Sequence, residues 1–402
     1  MATATSAGPS RRATRDVSVL AATIGGLSLG EELWQAYVPA YLAALGAAGL
    51  GVGAFASVRE LLDSLYQVPG GWLTDRVGYR RALMMFTGLA TLGYVIYAVS
   101  PSWPVMLLGL AAVMSWKAGA FPLTFAVVGD ALPPERRATA FAVQSILVRL
   151  PRVISAPIGG VVITALGVVF GFRVLCGVTV VIALLVMFLQ RYTVIDPTAV
   201  PRGGFTAGRG ALAPHLRGLL LAECLVRFGE GIAASFVVLY VTQVTGRTML
   251  EFGTLYAIQQ SVAIASYLPG ARLTAWTGRR SVVASTFLFF SLFPLAVRIA
   301  STYTGLVAAF VVGGLKEIGE PARKALIVDL TSDGLRASQV GRYYAIRNAV
   351  VVPAGIAGGL LWQHAPHLPL LVASVVSLAG LIVFIRSEGA GAFADHRSID
   401  TR

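Results

Sequence analysis

The chain has 402 residues, 56% hydrophobic and only 13% charged, about half the charge of an ordinary soluble domain. Apolar runs of roughly 20 residues recur along its whole length, each long enough to cross about 30 Å of hydrocarbon, so the composition excludes a soluble enzyme and indicates a polytopic protein of the lipid bilayer. The net charge of +13 would point to nucleic acid in a soluble protein; here the arginines gather in the short gaps between apolar runs, a signal of topology, and no nucleic-acid partner is expected.

Twelve spans are read at 17–45, 52–73, 82–100, 104–129, 139–164, 170–190, 216–243, 250–271, 281–299, 304–328, 339–362 and 367–386. The first run is too long and too acidic for a cleavable signal, since "GLSLGEELWQAYVP" places Glu31 and Glu32 at its centre. It also fits G-x-S-x-G, but without a strand-turn-helix context the glycines read as a helix-packing device. Basic residues then alternate from gap to gap. Arg11, Arg12 and Arg15 precede the first span, Arg76, Arg80 and Arg81 follow the second, and Arg136 and Arg137 follow the fourth. Arg191 to Arg217 flank the gap after the sixth, Arg279 and Arg280 follow the eighth, and Arg386, Arg397 and Arg402 follow the last span. The loops "GAAGLGV", "SPSWP" and "QHAPH" between them carry no Lys or Arg. Both termini are therefore expected in the cytoplasm of a cell, with the spans in the inner membrane.

The gap at 191–215, rich in proline and glycine, reads as a flexible linker between bundles at 17–190 and 216–386, with tails at 1–16 and 387–402. The two bundles repeat one another. Moving forward 199 residues turns Lys117 into Lys316, Pro122 into Pro321, Asp130 into Asp329, Gly30–Glu31 into Gly229–Glu230 and Gly159–Gly160 into Gly358–Gly359. Parallel six-span repeats are a common plan for secondary transporters, with the substrate held between the halves near mid-membrane.

Several spans carry charge where hydrocarbon is expected: Glu31 and Glu32 in the first, Lys117 in the fourth, Glu223, Arg227 and Glu230 in the seventh, and Lys316, Glu317 and Glu320 in the tenth. Such a charge costs about 2.5–3.5 kcal/mol at the bilayer centre and is expected to face a water-filled path or a partner. Arg227 lies one helical turn from both Glu223 and Glu230, and Lys316, Glu320 and Lys324 share one helix face, so local pairing is the competing explanation. Arg149, Arg152, Arg342 and Arg347 read as gate residues or as sites for an anionic solute, and Arg59, Glu60 and Asp63 as locally paired. Cys176 and Cys224 sit inside apolar runs, which fits packing better than a disulfide or metal site. No P-loop is present, so ATP is not the energy source within this chain, and no cofactor is expected.

Between the second and third spans lies "GWLTDRVGYRR" (71–81). Gly71 permits close helix approach, Asp75 can accept from a helix N-terminus or an arginine, and Gly78 permits a tight turn. This stretch resembles the signature loop of the major facilitator superfamily, G-x-L-x-D-R-x-G-R-R, at Gly71, Leu73, Asp75, Arg76, Gly78 and Arg80, with Tyr79 in place of an arginine. A second copy, "ARLTAWTGRR" (271–280), has Ala275 in place of the acid. The resemblance implies an all-α fold of twelve transmembrane helices in two pseudosymmetric halves, with spans one, four, seven and ten around a central cavity. It also implies that Asp75 and Arg76 help to close the cytoplasmic side.

On this reading Glu31, Glu230 and Glu320 are the candidates for proton coupling. Glu32, Lys117, Arg227, Lys316 and Glu317 are the candidates for the substrate cavity. The expected activity is proton-coupled export of a small organic compound by a monomer. The alternatives are proton-coupled import of an anionic or zwitterionic solute, or a receptor or lipid-handling scaffold that does not transport.

Overall fold

A computed structural model describes residues 23, 25–77, 79–116, 134–191, 214–330 and 336–395. Among them the chain is helical, without strands. The first half comprises α1 (25–32), α2 (Val38–Ala44), α3 (Gly49–Val77), α4 (Tyr79–Val99), α5 (Trp103–Trp116), α6 (Pro134–Leu166) and α7 (Val168–Gln190). The second comprises α8 (Pro214–Leu239), α9 (Met249–Ile299), α10 (Tyr303–Leu315), α11 (Glu320–Asp329), α12 (Arg336–Val351), α13 (Ala354–His364) and α14 (Leu368–Asp395).

These fourteen helices make twelve spans because some spans are broken and one helix contains two. The first span breaks between α1 and α2, through a 3-10 turn at Gln35–Tyr37 just ahead of Pro39. Proline lacks an N–H and clashes with the carbonyl four residues back, so it favours a kink or a new helix start, and here Pro39 takes a first-turn position of α2; α6 and α9 instead run on through Pro151, Pro157, Pro269 and Pro294. The tenth span breaks at 316–319, just ahead of Pro321. Its counterpart Pro122 lies outside the described residues. The eleventh span breaks at 352–353, a step from Pro353 that the repeat does not announce. Conversely, α9 runs through 51 residues across Gly278, whose φ of 82° turns the chain between the eighth and ninth spans. Gly278 repeats Gly78, which lies outside the described residues. Two helix starts carry side-chain caps. Thr248 and Glu251 form a reciprocal capping box at α9, and Thr302 accepts from the N–H of Gly305 at α10.

Within each half the sequence repeat becomes a repeat of contacts. A methyl group on Gly159 would collide with the carbonyl of Leu33, and one on Gly358 with the carbonyl of Ile232, the same pair 199 residues on. Gly30 packs on Thr179 of α7, and Gly229 packs on Ser377 of α14. Glycine here serves close backbone approach, the device by which membrane helices associate without a hydrophobic driving force.

The halves meet through α3 with α13 and through α6 with α9. Gly53 abuts the Gly355 carbonyl, and its counterpart Gly253 abuts the Ala156 carbonyl; Gly359 meets Gly49 and Leu50, and Gly160 meets Met249 and Leu250. Ser57 Oγ accepts from the N–H of Ile356 at 3.0 Å, and Tyr37, which donates to Ala156 O of its own half at 2.5 Å, lies 3.4 Å from Met249 O of the other. All these approaches lie at the arginine-poor end, beside loops 45–48, 245–248 and 365–367. We call this line of contacts the seam. Outward-facing apolar side chains such as Val181, Leu184, Leu185 and Phe188 on α7 are about half exposed, as a lipid-facing surface requires.

Candidate functional site

Below the seam a cavity of about 730 Å³ opens between the halves, in the size range of small-molecule sites. Near the seam its wall is apolar and aromatic, with Val52, Phe55, Phe252, Phe293 and Phe310. Toward the arginine-rich end the wall is charged. Eight basic and four acidic side chains line the whole cavity among the described residues.

Two constellations organise this charge. In the first, α8 presents Arg227 and Glu230 on consecutive turns, and the break after α10 presents Lys316. Glu230 accepts from Arg227 and, at 2.6 Å, from Lys316 Nζ. Lys316 also lies 4.9 Å from the centre of the Phe290 ring and 5.7 Å from that of Phe293. In the second, Arg149 of α6 reaches across from the first half. Its Nε donates to Tyr267 Oη at 2.7 Å and its Nη1 to Gln260 Oε1 at 3.1 Å. Its Nη2 lies 2.9 Å from Glu317 Oε2 and 3.3 Å from Glu320 Oε2. Every one of these partners belongs to the second half. Tyr267 donates onward to Glu320, which also pairs with Lys324 at 2.9 Å.

Further pairs lock the walls within each half. Arg152 donates to Glu32 at 2.9 Å, behind the cavity surface. Glu223, fully buried, accepts from Arg323, from Tyr343 and, at 3.0 Å, from Arg347. Spacing alone had offered Arg227 as the partner of Glu223. The structure instead gives Arg227 to Glu230 and binds Glu223 from α11 and α12, because neighbours across helices compete with neighbours along one. Arg59 pairs with Glu60 at 3.1 Å, as its spacing indicated. Lys316 and Glu320, expected on one helix face, are separated by the break at 316–319 and have different partners.

The expectation that Glu31 and Glu230 both face the cavity needs one correction. Glu230 lines it and Glu31 does not. Glu31 is 3% exposed and accepts from Tyr94 Oη at 2.6 Å. Trp34 packs edge-on against Tyr94, Tyr97 and Phe172 beside it. The residue 199 positions after Tyr94 is Phe293, which has no hydroxyl to close over an acid; there Lys316 reaches Glu230 and the cavity extends to it. Lys117 and Gly78 lie outside the described residues. Gly71 and Asp75 fall on α3, where the surroundings of both lie outside the description; Arg76 is exposed, and Arg80 donates to the Arg191 carbonyl. Gln260 and Tyr267 were not anticipated as site residues. The adjacent Gln259 and Gln260 in the middle of an apolar run were the available signal.

The sequence profile of the Major Facilitator Superfamily matches residues 20–215 and 219–396. The chain belongs to this superfamily. An uncharacterized MFS-type transporter of Methanocaldococcus jannaschii, MJ1317, is 19% identical to this facilitator over 385 residues, spanning 93% of this chain and 96% of that protein. The multidrug resistance protein MdtH of Cronobacter sakazakii is 25% identical over 361 residues, with 85% and 86% covered. Among solved structures, the nucleoside transporter NupG superimposes with a TM-score of 0.75 at 12% identity, covering 93% of this facilitator and 98% of that chain. The fold is thus the major facilitator fold of two six-helix halves, and the protein is a multi-pass membrane transporter.

Proposed function

We propose that this facilitator is a secondary active transporter that exports a small organic compound in exchange for protons, by alternating access. The observation that carries the reading is the link from Arg149 of one half to Glu317 and Glu320 of the other, inside the cavity. A proton taken up by either carboxylate removes a negative charge from this link and weakens the hold of one half on the other. Proton binding is thereby tied to relative movement of the halves, which is what coupling requires. Glu230 is the second coupling group, since protonating it frees Lys316 and Arg227 together. Glu31, capped by Tyr94, serves packing in this scheme.

The arginine distribution supports a cytoplasmic position for both termini and for the charged end of the cavity. With the seam closed at the opposite end, this conformation faces the cytoplasm. Similarity to a relative named for multidrug resistance supports export over import. Asp75 and Arg76 act at the cytoplasmic gate, and one chain, holding a complete cavity, is the working unit in the cell's inner membrane.

The test is reconstitution into vesicles carrying a lumenal pH dye, with an imposed pH gradient and a set of candidate organic solutes. Solute movement with opposite proton movement is expected, with loss of pH dependence in Glu317→Gln with Glu320→Gln. Gradient-driven flux that survives in that double variant defeats the coupling assignment, and solute flux without proton movement defeats proton coupling itself.

A further inference from the structure

The cavity carries more positive charge than its own carboxylates balance. Among the described residues eight basic side chains line it against four acidic ones. Counting Glu32 and Glu223, which bind lining arginines from behind the wall, and Asp63, which acts on Arg59, one positive charge remains in excess among them. Uncompensated charge in a low-dielectric setting is costly, and the cost falls when an ion of opposite sign enters.

The excess has a location. Arg323 lines the cavity between the two constellations. Its Nη1 is committed to Glu223, while its buried Nε has no acceptor among the described residues. Its partner Glu223 lies one helical turn before Arg227 on α8, which sets it beside the Lys316 group. Lys316 is 12% exposed and has one carboxylate acceptor among the described residues, with the rings of Phe290 and Phe293 beside it. An ammonium group holds three protons, so Glu230 and ring faces leave donor capacity unused. On the seam side of this cluster the wall turns aromatic, with Phe252, Phe293 and Phe310 packed edge to face.

We propose that the cavity binds a small organic anion, its acid group seated by Lys316, Arg227 and Arg323 and its apolar body lying against the aromatic wall toward the seam. The inference rests on the transport reading and supplies its substrate class. Cationic compounds are disfavoured because they would add to an unbalanced positive charge, and an apolar neutral compound would leave the Arg323 donor without an acceptor. The acid would compete with Glu230 for Lys316, so substrate and proton act on the same carboxylate.

The experiment measures thermal unfolding of the purified full chain, at low ionic strength, with benzoate, 3-phenylpropionate and phenyl phosphate against benzamide and benzylamine. The acids are expected to raise the melting temperature in a saturable way, because a ligand that binds only the folded state stabilises it. Benzamide and benzylamine are expected to raise it less or not at all. Affinity for the best acid should fall roughly tenfold or more in Lys316→Gln, as expected for loss of one charge-assisted contact, and recover in Lys316→Arg. Arg323→Gln provides the same reading if Lys316→Gln does not fold. Equal stabilisation by the amide or amine, no stabilisation by any of the three acids, or undiminished acid affinity in the glutamine variants overturns the proposal. Because binding is read without a gradient, proton-driven export of a neutral or cationic solute would sink this inference alone. Acid binding without proton movement would sink only the coupled-transport reading.

Discussion

Replacing Gly53 by alanine adds one methyl group at the point where α3 crosses α13. A Cβ there would lie 2.9 Å from the Gly355 carbonyl carbon and 3.1 Å from the Gly359 Cα, and closer still to the Gly355 oxygen. Ordinary contact begins at 3.4 Å, and every obstructing atom is backbone, so no side chain can turn aside to relieve the clash. The two helices must separate by half an ångström or more, and gaps of that size forfeit a quarter to a half of a packing contact. Overpacking of this kind costs about 1–3 kcal/mol. The strain exists only while the seam is closed, so it shifts the closed–open equilibrium toward open by about 5- to 150-fold. A cysteine in place of Ser57, 3% exposed beside the crossing, reports this through its rate of maleimide labelling. The native Cys176 and Cys224 are free and buried, and a chain lacking both provides the clean background. Labelling should accelerate by that factor in Gly53→Ala. An unchanged rate in a variant that melts and elutes like the parent would refute the argument that backbone contact holds the seam shut.

Tyr94→Phe removes the 2.6 Å hydrogen bond to Glu31, and leaving a buried polar group without its partner costs about 1–3 kcal/mol. The melting temperature should fall and Glu31 should become reactive to a carbodiimide; no change in either would mean that Tyr94 does not close over the acid. Gly278→Ala meets no atom within 4 Å yet must hold a φ of 82° and ψ of 158°, so a purely backbone cost of about 1–3 kcal/mol is expected. Gly177→Ala, equally unobstructed but inside α7, is its control and should be neutral or stabilising; equal unfolding free energies for the two variants would contradict the account.

The two halves were legible in the sequence because bilayer insertion constrains composition strongly. Apolar runs and arginine-bearing gaps indicated the spans, an offset of 199 or 200 residues paired the halves, and Gly159–Gly160 and Gly358–Gly359 proved to be contact points in both copies. The direction of individual charges was less legible. A repeat aligns positions, but what a side chain meets depends on its neighbour on another helix. Glu31 and Glu230 illustrate this: a tyrosine hydroxyl closes over the first, and a lysine reaches the second. The partners of Glu223 were likewise out of reach, since Arg323, Tyr343 and Arg347 lie 100 or more positions away. Breaks at Pro39 and Pro353 have no equivalents in the opposite half and so left no trace in the repeat.

On the α6–α9 side of the seam, Tyr37 is held within its own half by its hydroxyl, 2.5 Å from Ala156 O, and approaches the other half at 3.4 Å, to Met249 O. The counterpart of Tyr37 on the α3–α13 side is Phe236, which stacks at 5.3 Å on Trp362 of its own half, with Trp362 set across the seam against Gly49. Each aromatic group is thus anchored by a partner that travels with it. What crosses between the halves is backbone contact together with the hydrogen bonds of Ile356 to Ser57 at 3.0 Å and of Leu250 to Thr164 at 3.1 Å. A hydrogen bond is directional and fails within about an ångström of stretch. Parting the halves therefore breaks these crossing bonds but leaves both aromatic anchors assembled, so the two faces stay preformed and can reclose without repacking.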